Sequence, residues 1–178
     1  MRLVKSLGRH SIPRRTAVAL ALVVWLAAIP VSHGVVPWVV SSLAPRYGWR
    51  DGNPAPWNLV GLVPVVAGVI ILMWVMTIAF AHTRQLPERV ELAWRPAMLL
   101  TRGPYQFSRH PMYLGELALW FGWATLYGSL SVLAVFVAFW LVVHRLASKE
   151  ERDLEATFGD AYRTYANAVP RWPRLPGR

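Results

Sequence analysis

Residues 111–147 read PMYLGELALWFGWATLYGSLSVLAVFVAFWLVVHRLA, one apolar block of 37 positions. A helix crosses the bilayer with about 20 apolar residues, so the block is far too long for one span. Near its middle, Leu126-Tyr127-Gly128-Ser129 supplies a turn. The block therefore reads as a helical hairpin with arms over 111–127 and 129–147. Arms of roughly 18 residues are about 27 Å long at ~1.5 Å per residue, just enough to cross the hydrocarbon core.

Two further stretches, 16–40 and 58–82, are each apolar and long enough for one span. The basic start before residue 16 also suits a cleaved signal peptide. The apolar run continues to about Val40 with no Ala-x-Ala site after it, so we expect a retained span. The expected fold is all-α: a polytopic membrane protein, one integral domain over 1–178, with about four transmembrane helices, a C-terminal helical hairpin and cytoplasmic amphipathic tail helices. With 55% of 178 residues hydrophobic, the chain is too apolar for an ordinary soluble domain.

The net charge of +10 is informative through its distribution. Arg2, Lys5, Arg9, Arg14 and Arg15 precede the first span. Arg84, Arg89, Arg95, Arg102 and Arg109 fall between the second and third, and Arg145, Lys149, Arg152, Arg163, Arg171, Arg174 and Arg178 follow the onset of the last exit. Only Arg46 and Arg50 lie between the first two spans, and the hairpin tip has no charge. Four spans put every basic segment on one side, the pattern of the cytoplasmic face. The expected location is the cell (inner) membrane with both termini cytoplasmic. The charge sets topology and touches lipid headgroups; it gives no reason to expect nucleic-acid binding. The absence of cysteine excludes disulfides, thiolate metal sites and a cysteine nucleophile.

The loop 41–57 reads as a short external connection, with Trp49 and Trp57 as interfacial belt residues. Pro30 and Pro37 are expected to kink the first span, while Pro64 lies in the first turns of the second, where it costs little. In the tail, Leu154, Phe158, Ala161, Tyr165 and Val169 recur at helical steps, interrupted at Gly159. This predicts two short amphipathic helices at the membrane surface, the second capped by Asp160. Gly115, Ala118, Gly122, Thr125 and Ser129 put small residues on one face of the third span. That face either packs closely on a neighbouring helix or leaves room for a ligand.

Reflecting the hairpin about Gly128 sets His110 opposite residues 146–148 and brings Glu150 and Glu151 beside Ser108 and Arg109. Pro111 suits the first helical position, so free backbone donors and the positive dipole end face the cytoplasm there. With Arg109 and His110 they suit a carboxylate or phosphate, while Glu150 and Glu151 suit an ammonium or sulfonium. A zwitterionic ligand matches both halves. Glu116 lies a turn inside the span, where a carboxylate needs a partner or water; it is placed to reach Arg109 or Arg145, or to face a ligand cavity. His144 and Arg145 lie at comparable depth. His33 and His82 read as polar fillers. No His/Asp/Glu grouping has metal spacing, and there is no Gly-rich phosphate loop or dinucleotide fingerprint.

Gly103-Pro104-Tyr105, Arg109-His110-Pro111-Met112-Tyr113, Gly115, Glu150-Glu151, Leu154, Phe158-Gly159, Tyr162, Tyr165 and Val169-Pro170-Arg171 follow one another in an order that resembles the membrane methyltransferases. These include isoprenylcysteine carboxyl methyltransferases, phospholipid N-methyltransferases and bacterial thiol S-methyltransferases. The likeness covers about residues 100–173. It implies S-adenosylmethionine as methyl donor, with Tyr105, His110, Tyr113, Gly115, Arg145, Glu150 and Glu151 at the cofactor site. Arg109 joins them on its charge. It also implies in-line methyl transfer to a small hydrophobic or lipid-embedded acceptor, with Glu116 or Glu151 as base where an amine or phenol must lose a proton. The chain is shorter than the eukaryotic prenylcysteine enzymes, which argues against a prenylated protein as acceptor. The same membrane architecture resembles NADPH-dependent sterol reductases, an alternative alongside a non-enzymatic membrane protein.

Overall fold

The computed structural model describes residues 11–83, 87–91 and 98–173. The basic positions Arg2, Lys5, Arg9, Arg84, Arg95, Arg174 and Arg178, and half of the 83–100 connection, lie outside the described residues. Five helical elements organise the rest: α1 (Arg14–Ser41), α2 (Asn58–Thr83), α3 (Pro111–Tyr127), α4 (Leu130–Phe158) and α5 (Asp160–Ala168). Among the described residues α1, α2 and α4 are long and apolar enough to cross a membrane. The 17 residues of α3 make it shorter, and it is the helix with the most buried side chains, including Leu117, Leu119, Trp120, Ala124 and Tyr127.

The hairpin turns where expected. Gly128 ends α3 in the left-handed conformation (φ 55°), and Ser129 caps α4 through its side chain. A Cβ on Gly128 would collide with the Tyr47 carbonyl, whose own N–H donates to Gly128 O at 3.0 Å. Buried Asn58 donates to both Tyr47 O and Thr125 O at 3.1 Å. Trp49, expected as a belt residue, instead donates its indole N–H to Leu126 O at 2.9 Å. The Arg46 guanidinium lies 4.9 Å from the Tyr127 ring. The 41–57 loop is thus stapled onto the hairpin tip, and the antiparallel pair β2 (Trp49–Arg50) and β3 (Asn53–Pro54) shapes it.

At the opposite end, β1 (Ser11–Pro13) pairs antiparallel with β4 (Arg89–Glu91), tying the start of α1 to the chain leaving α2. In between, α2 and α3 pack through glycines. A Cβ on Gly68 would stand 2.7 Å from Gly115 O, and one on Gly122 2.7 Å from Gly61 O. The small face of α3 is therefore used for close approach of backbones.

Two expectations need correcting. The last span does not hand over to a separate tail helix near Ser148. α4 runs unbroken to Phe158, so Glu150 and Glu151 sit within it and only α5 is a separate short helix. Gly159, with φ 54°, takes the cap position, and Asp160 is the first residue of α5, paired with Arg163 at 3.0 Å. In α1, π-helical turns at Val24–Ala28 and Val31–Val35 flank Pro30, absorbing the missing N–H without ending the helix.

Candidate active site at the open end of the hairpin

Ser108 fixes the entrance to α3. Its hydroxyl accepts from the His110 N–H at 3.1 Å and donates to Arg171 O at 2.7 Å, while the Arg109 N–H donates to Pro170 O at 3.0 Å. Residues 170–172 thus return across 108–110 as a strap. Pro111 begins α3 directly after His110, as expected.

His110 is 4% exposed. Its ring stacks on Tyr113 (centroids 5.6 Å, 19° between planes) and meets Trp172 at 6.0 Å. Nε2 donates to Glu151 Oε1 at 3.1 Å, and Nδ1 lies 3.6 Å from Glu150 Oε2. Successive residues of a helix point about 100° apart, and the imidazole fills the angle between these two. Glu151 also accepts from Arg171 through Nε at 2.9 Å and through a second guanidinium nitrogen, and Arg109 approaches at 3.3 Å. The carboxylate of Glu151 is thus surrounded by donors, whereas Glu150 keeps its side chain about half exposed. Arg171 also donates to Ser148 Oγ at 3.1 Å.

Beside this cluster a cleft of about 530 Å³ opens between the end of α4 and α5, bounded by Arg109, Ser148, Glu151, Tyr162, Asn167 and Arg171. Among the described residues, Arg109 Nε and the Tyr162 hydroxyl are buried there without a close hydrogen-bond partner, and the Arg109 guanidinium itself lies near that hydroxyl. Burial, with Glu151 adding to it, pushes the Tyr162 hydroxyl above its ordinary range. Burial and Glu150 likewise push Tyr105 up to about 12, and its carbonyl accepts from the Tyr165 hydroxyl at 2.8 Å.

The structure brings together Tyr105, Arg109, His110, Tyr113, Glu150 and Glu151. Gly115 is elsewhere: the space over it is filled by Leu72 of α2, with Cγ 2.9 Å from where a Cβ would stand. Arg145 is exposed on α4. Glu116 is buried at 8% exposure, and among the described residues it forms an ion pair with neither Arg109 nor Arg145. Ser108, Ser148, Tyr162, Arg171 and Trp172 join the cluster from outside the expected site residues. The available signal was Val169-Pro170-Arg171, an extended segment after a helix with a cation at its centre.

Residues 57–161 match the phospholipid methyltransferase family. Over 126 residues the chain is 31% identical to a protein-S-isoprenylcysteine O-methyltransferase of Dictyostelium discoideum, covering 66% of this chain and 48% of that protein. The chain therefore spans about half the length of the curated relative it matches. No solved structure matches it. The family match takes in the hairpin and both halves of the charged cluster, and the chain belongs to the phospholipid methyltransferase family.

Proposed function

We propose that the protein transfers a methyl group from S-adenosylmethionine to a small hydrophobic or lipid-embedded acceptor at the cytoplasmic face of the membrane. The observation that supports this most is the closure of Arg109-His110 against Glu150-Glu151, which sets both charge signs around one buried imidazole. The donor has a carboxylate, an ammonium and a sulfonium. The residues present fit it: Arg109 and the Tyr162 hydroxyl at the cleft wall suit a carboxylate, half-exposed Glu150 on the adjoining face of α4 suits an ammonium, and the cleft is within the usual size for small ligands. When bound, the cofactor supplies an electrophilic methyl group.

The chain's own residues would bind, orient and exclude water. Arg109, Tyr162, Glu150 and His110 would hold the charged groups, and Tyr105 and Tyr113 would wall the site. Glu151 holds His110, Arg109 and Arg171 in place. Its lone pairs are taken by those donors, so the proton-accepting role falls instead to Glu116, for acceptors that must lose a proton. Methyl transfer then depends chiefly on alignment in a dry site.

We further propose that α3 crosses the membrane as the fourth span, with β1, β4 and the site on the cytoplasmic side. Pairing of β1 with β4 and of the strap with residues 108–110 supports this, since both gather basic segments at one end. Calorimetric titration of the purified protein with S-adenosylhomocysteine and with NADPH tests the assignment. Binding of the adenosyl compound alone is expected; binding of NADPH alone would replace a methyltransferase by a reductase.

A further inference from the structure

Most of α1 is exposed or only partly buried, and its most apolar stretch is unburied. His33 is an exception, 9% exposed inside the second π-helical turn. Ionisable side chains within a span and π-turns both tend to mark functional positions. The backbone here is held from outside the helix. Pro37, four residues on, has no N–H to give the His33 carbonyl, and the Trp123 indole N–H of α3 donates to it instead.

The ring is fixed with equal care. Nδ1 lies 2.7 Å from Ser32 Oγ and 3.3 Å from Ile29 O. The Ser32 hydroxyl has Ala28 O at 2.7 Å and Ile29 O at 3.2 Å to donate to besides Nδ1, whereas the Ile29 carbonyl beside Nδ1 can only accept. With the ring hydrogen on Nδ1, directed to the Ile29 carbonyl, Nε2 is a bare acceptor. Among the described residues that atom is buried without a hydrogen-bond partner. Trp120 of α3 and Phe139 of α4 present themselves to the imidazole at 6.3 and 6.0 Å, both near perpendicular. Next along the chain, a Cβ on Gly34 would meet nothing within 4 Å, so the helix leaves room there.

We propose that His33 Nε2 is the polar anchor of an intramembrane site for a neutral, hydroxyl-bearing apolar molecule, an alcohol or phenol dissolved in the bilayer. The group must donate a hydrogen bond, because only an acceptor is offered. It must be neutral, because a cation at this depth is expensive. Its apolar body would lie among aromatic walls contributed by α1, α3 and α4. Trp120 stands ten residues beyond His110 on α3, about 15 Å at ~1.5 Å per residue, far beyond the ~3 Å at which groups react. The anchored hydroxyl therefore lies well away from the charged cluster around His110. It belongs either to the remote end of the acceptor or to a separate lipid.

The test uses the full chain in nanodiscs without cofactor, with a photoactivatable hexadecanol as probe and the matching photoactivatable alkane as control. Saturable labelling by the alcohol alone is expected. His33→Phe, which keeps a ring of similar shape, should weaken it about tenfold, while His33→Gln, which returns an acceptor near the Nε2 position, should restore most of it. A nitrogen-15 spectrum of the imidazole provides a second readout, in which the Nε2 resonance of wild type moves on adding hexadecanol. Equal labelling by alkane and alcohol overturns the proposal, as does wild-type alcohol labelling of His33→Phe. So does an Nε2 signal already hydrogen-bonded to water and unmoved by the alcohol. Hexadecanol competing with acceptor in a methyl-transfer assay would assign the hydroxyl to the acceptor; binding without competition would assign it to a separate lipid. The site lies beside the methyltransferase reading without depending on it: protein that binds S-adenosylhomocysteine but not hexadecanol loses this proposal alone.

Discussion

His110 and Glu151 stand 41 positions apart in sequence and meet at 3.1 Å, Nε2 to Oε1. The hairpin makes this contact possible, and the strap secures it by laying Arg171 on the same carboxylate. Glu151 thus serves four elements at once: the entrance to α3, α4 itself, the strap and the cleft. Its neighbour Glu150 has no such load and remains about half exposed. Two adjacent residues of one type therefore have different roles, set by the face of α4 each occupies.

This difference predicts unequal mutants. Glu151→Ala leaves three donors facing one another at a mostly buried spot, and breaking such clusters costs about 1–3 kcal/mol when partly wetted. We expect a clear drop in thermal midpoint together with loss of S-adenosylhomocysteine binding. Glu150→Ala should leave the midpoint near wild type and weaken binding alone. Calorimetry and thermal unfolding on the same preparations separate the two effects. Equal destabilisation by both changes would contradict the division of labour.

Arg171 should behave as a positioning residue. Arg171→Lys keeps the charge but not the two-pronged grip on Glu151, so cofactor affinity should fall several-fold while the fold survives. Arg171→Ala should fall further and free the strap from 108–110, seen as faster amide exchange at Ser108 and Arg109. Unchanged affinity in both variants would show that the strap merely covers the site.

The buried tyrosines give the site a pH signature. Tyr105 is pushed from 10.0 to about 12 by burial and by Glu150, and burial also raises Tyr162 and Tyr165. A phenol whose folded value lies above its unfolded value stabilises fully below the unfolded value and loses that contribution as pH rises through the folded one. Stability should therefore decline between pH 10 and about 12, and Tyr105→Phe should flatten part of that decline. Ultraviolet titration of tyrosinate checks it; ordinary ionisation of Tyr105 near 10.0 would be the contrary result.

Much of this was legible in the sequence because hydropathy and spacing report local geometry. The expected arms 111–127 and 129–147 begin within a residue of α3 and α4, and reflection about Gly128 set Glu150 and Glu151 beside Arg109, as found, but His110 opposite residues 146–148, whereas it meets the two glutamates. What spacing could not report were choices among neighbours. The small face of α3 suited either a helix or a ligand, and only the glycines of α2 at matching heights decide for a helix. Arg171 reaches Glu151 across a chain reversal that no periodicity encodes. Nor does anything near Ser148 mark where α4 stops; a helix leaving lipid continues while its residues still favour it, here until Gly159.

The glycine seam makes a sharper prediction than a small-residue pattern alone. A Cβ at Gly68 would press on backbone, Gly115 O at 2.7 Å, whereas one at Gly115 would first meet the movable end of Leu72. Gly68→Ala should therefore cost more, about 1–3 kcal/mol by overpacking, than Gly115→Ala. Because Leu72 already fills that space, Gly115→Ala should keep cofactor affinity within about twofold. A large loss of affinity without loss of stability would return Gly115 to the cofactor site.

Glu116 yields the prediction that bears most directly on chemistry. It is buried and, among the described residues, no ion pair joins it to the arginines nearest in sequence. A buried carboxyl without a cation partner is costly to keep and cheap to neutralise. Glu116→Gln should accordingly leave the thermal midpoint unchanged or slightly raised. S-adenosylhomocysteine affinity should also hold, because the charged cluster sits nearly two turns away at His110. If the carboxyl takes a proton from the acceptor, turnover of an amine or phenol should fall about 10²-fold or more, the usual contribution of a positioned base. Transfer to a thiolate, which has no proton to lose, should be nearly unaffected. Equal loss with both acceptor types would make Glu116 a shaping residue of the pocket and remove the base from the mechanism.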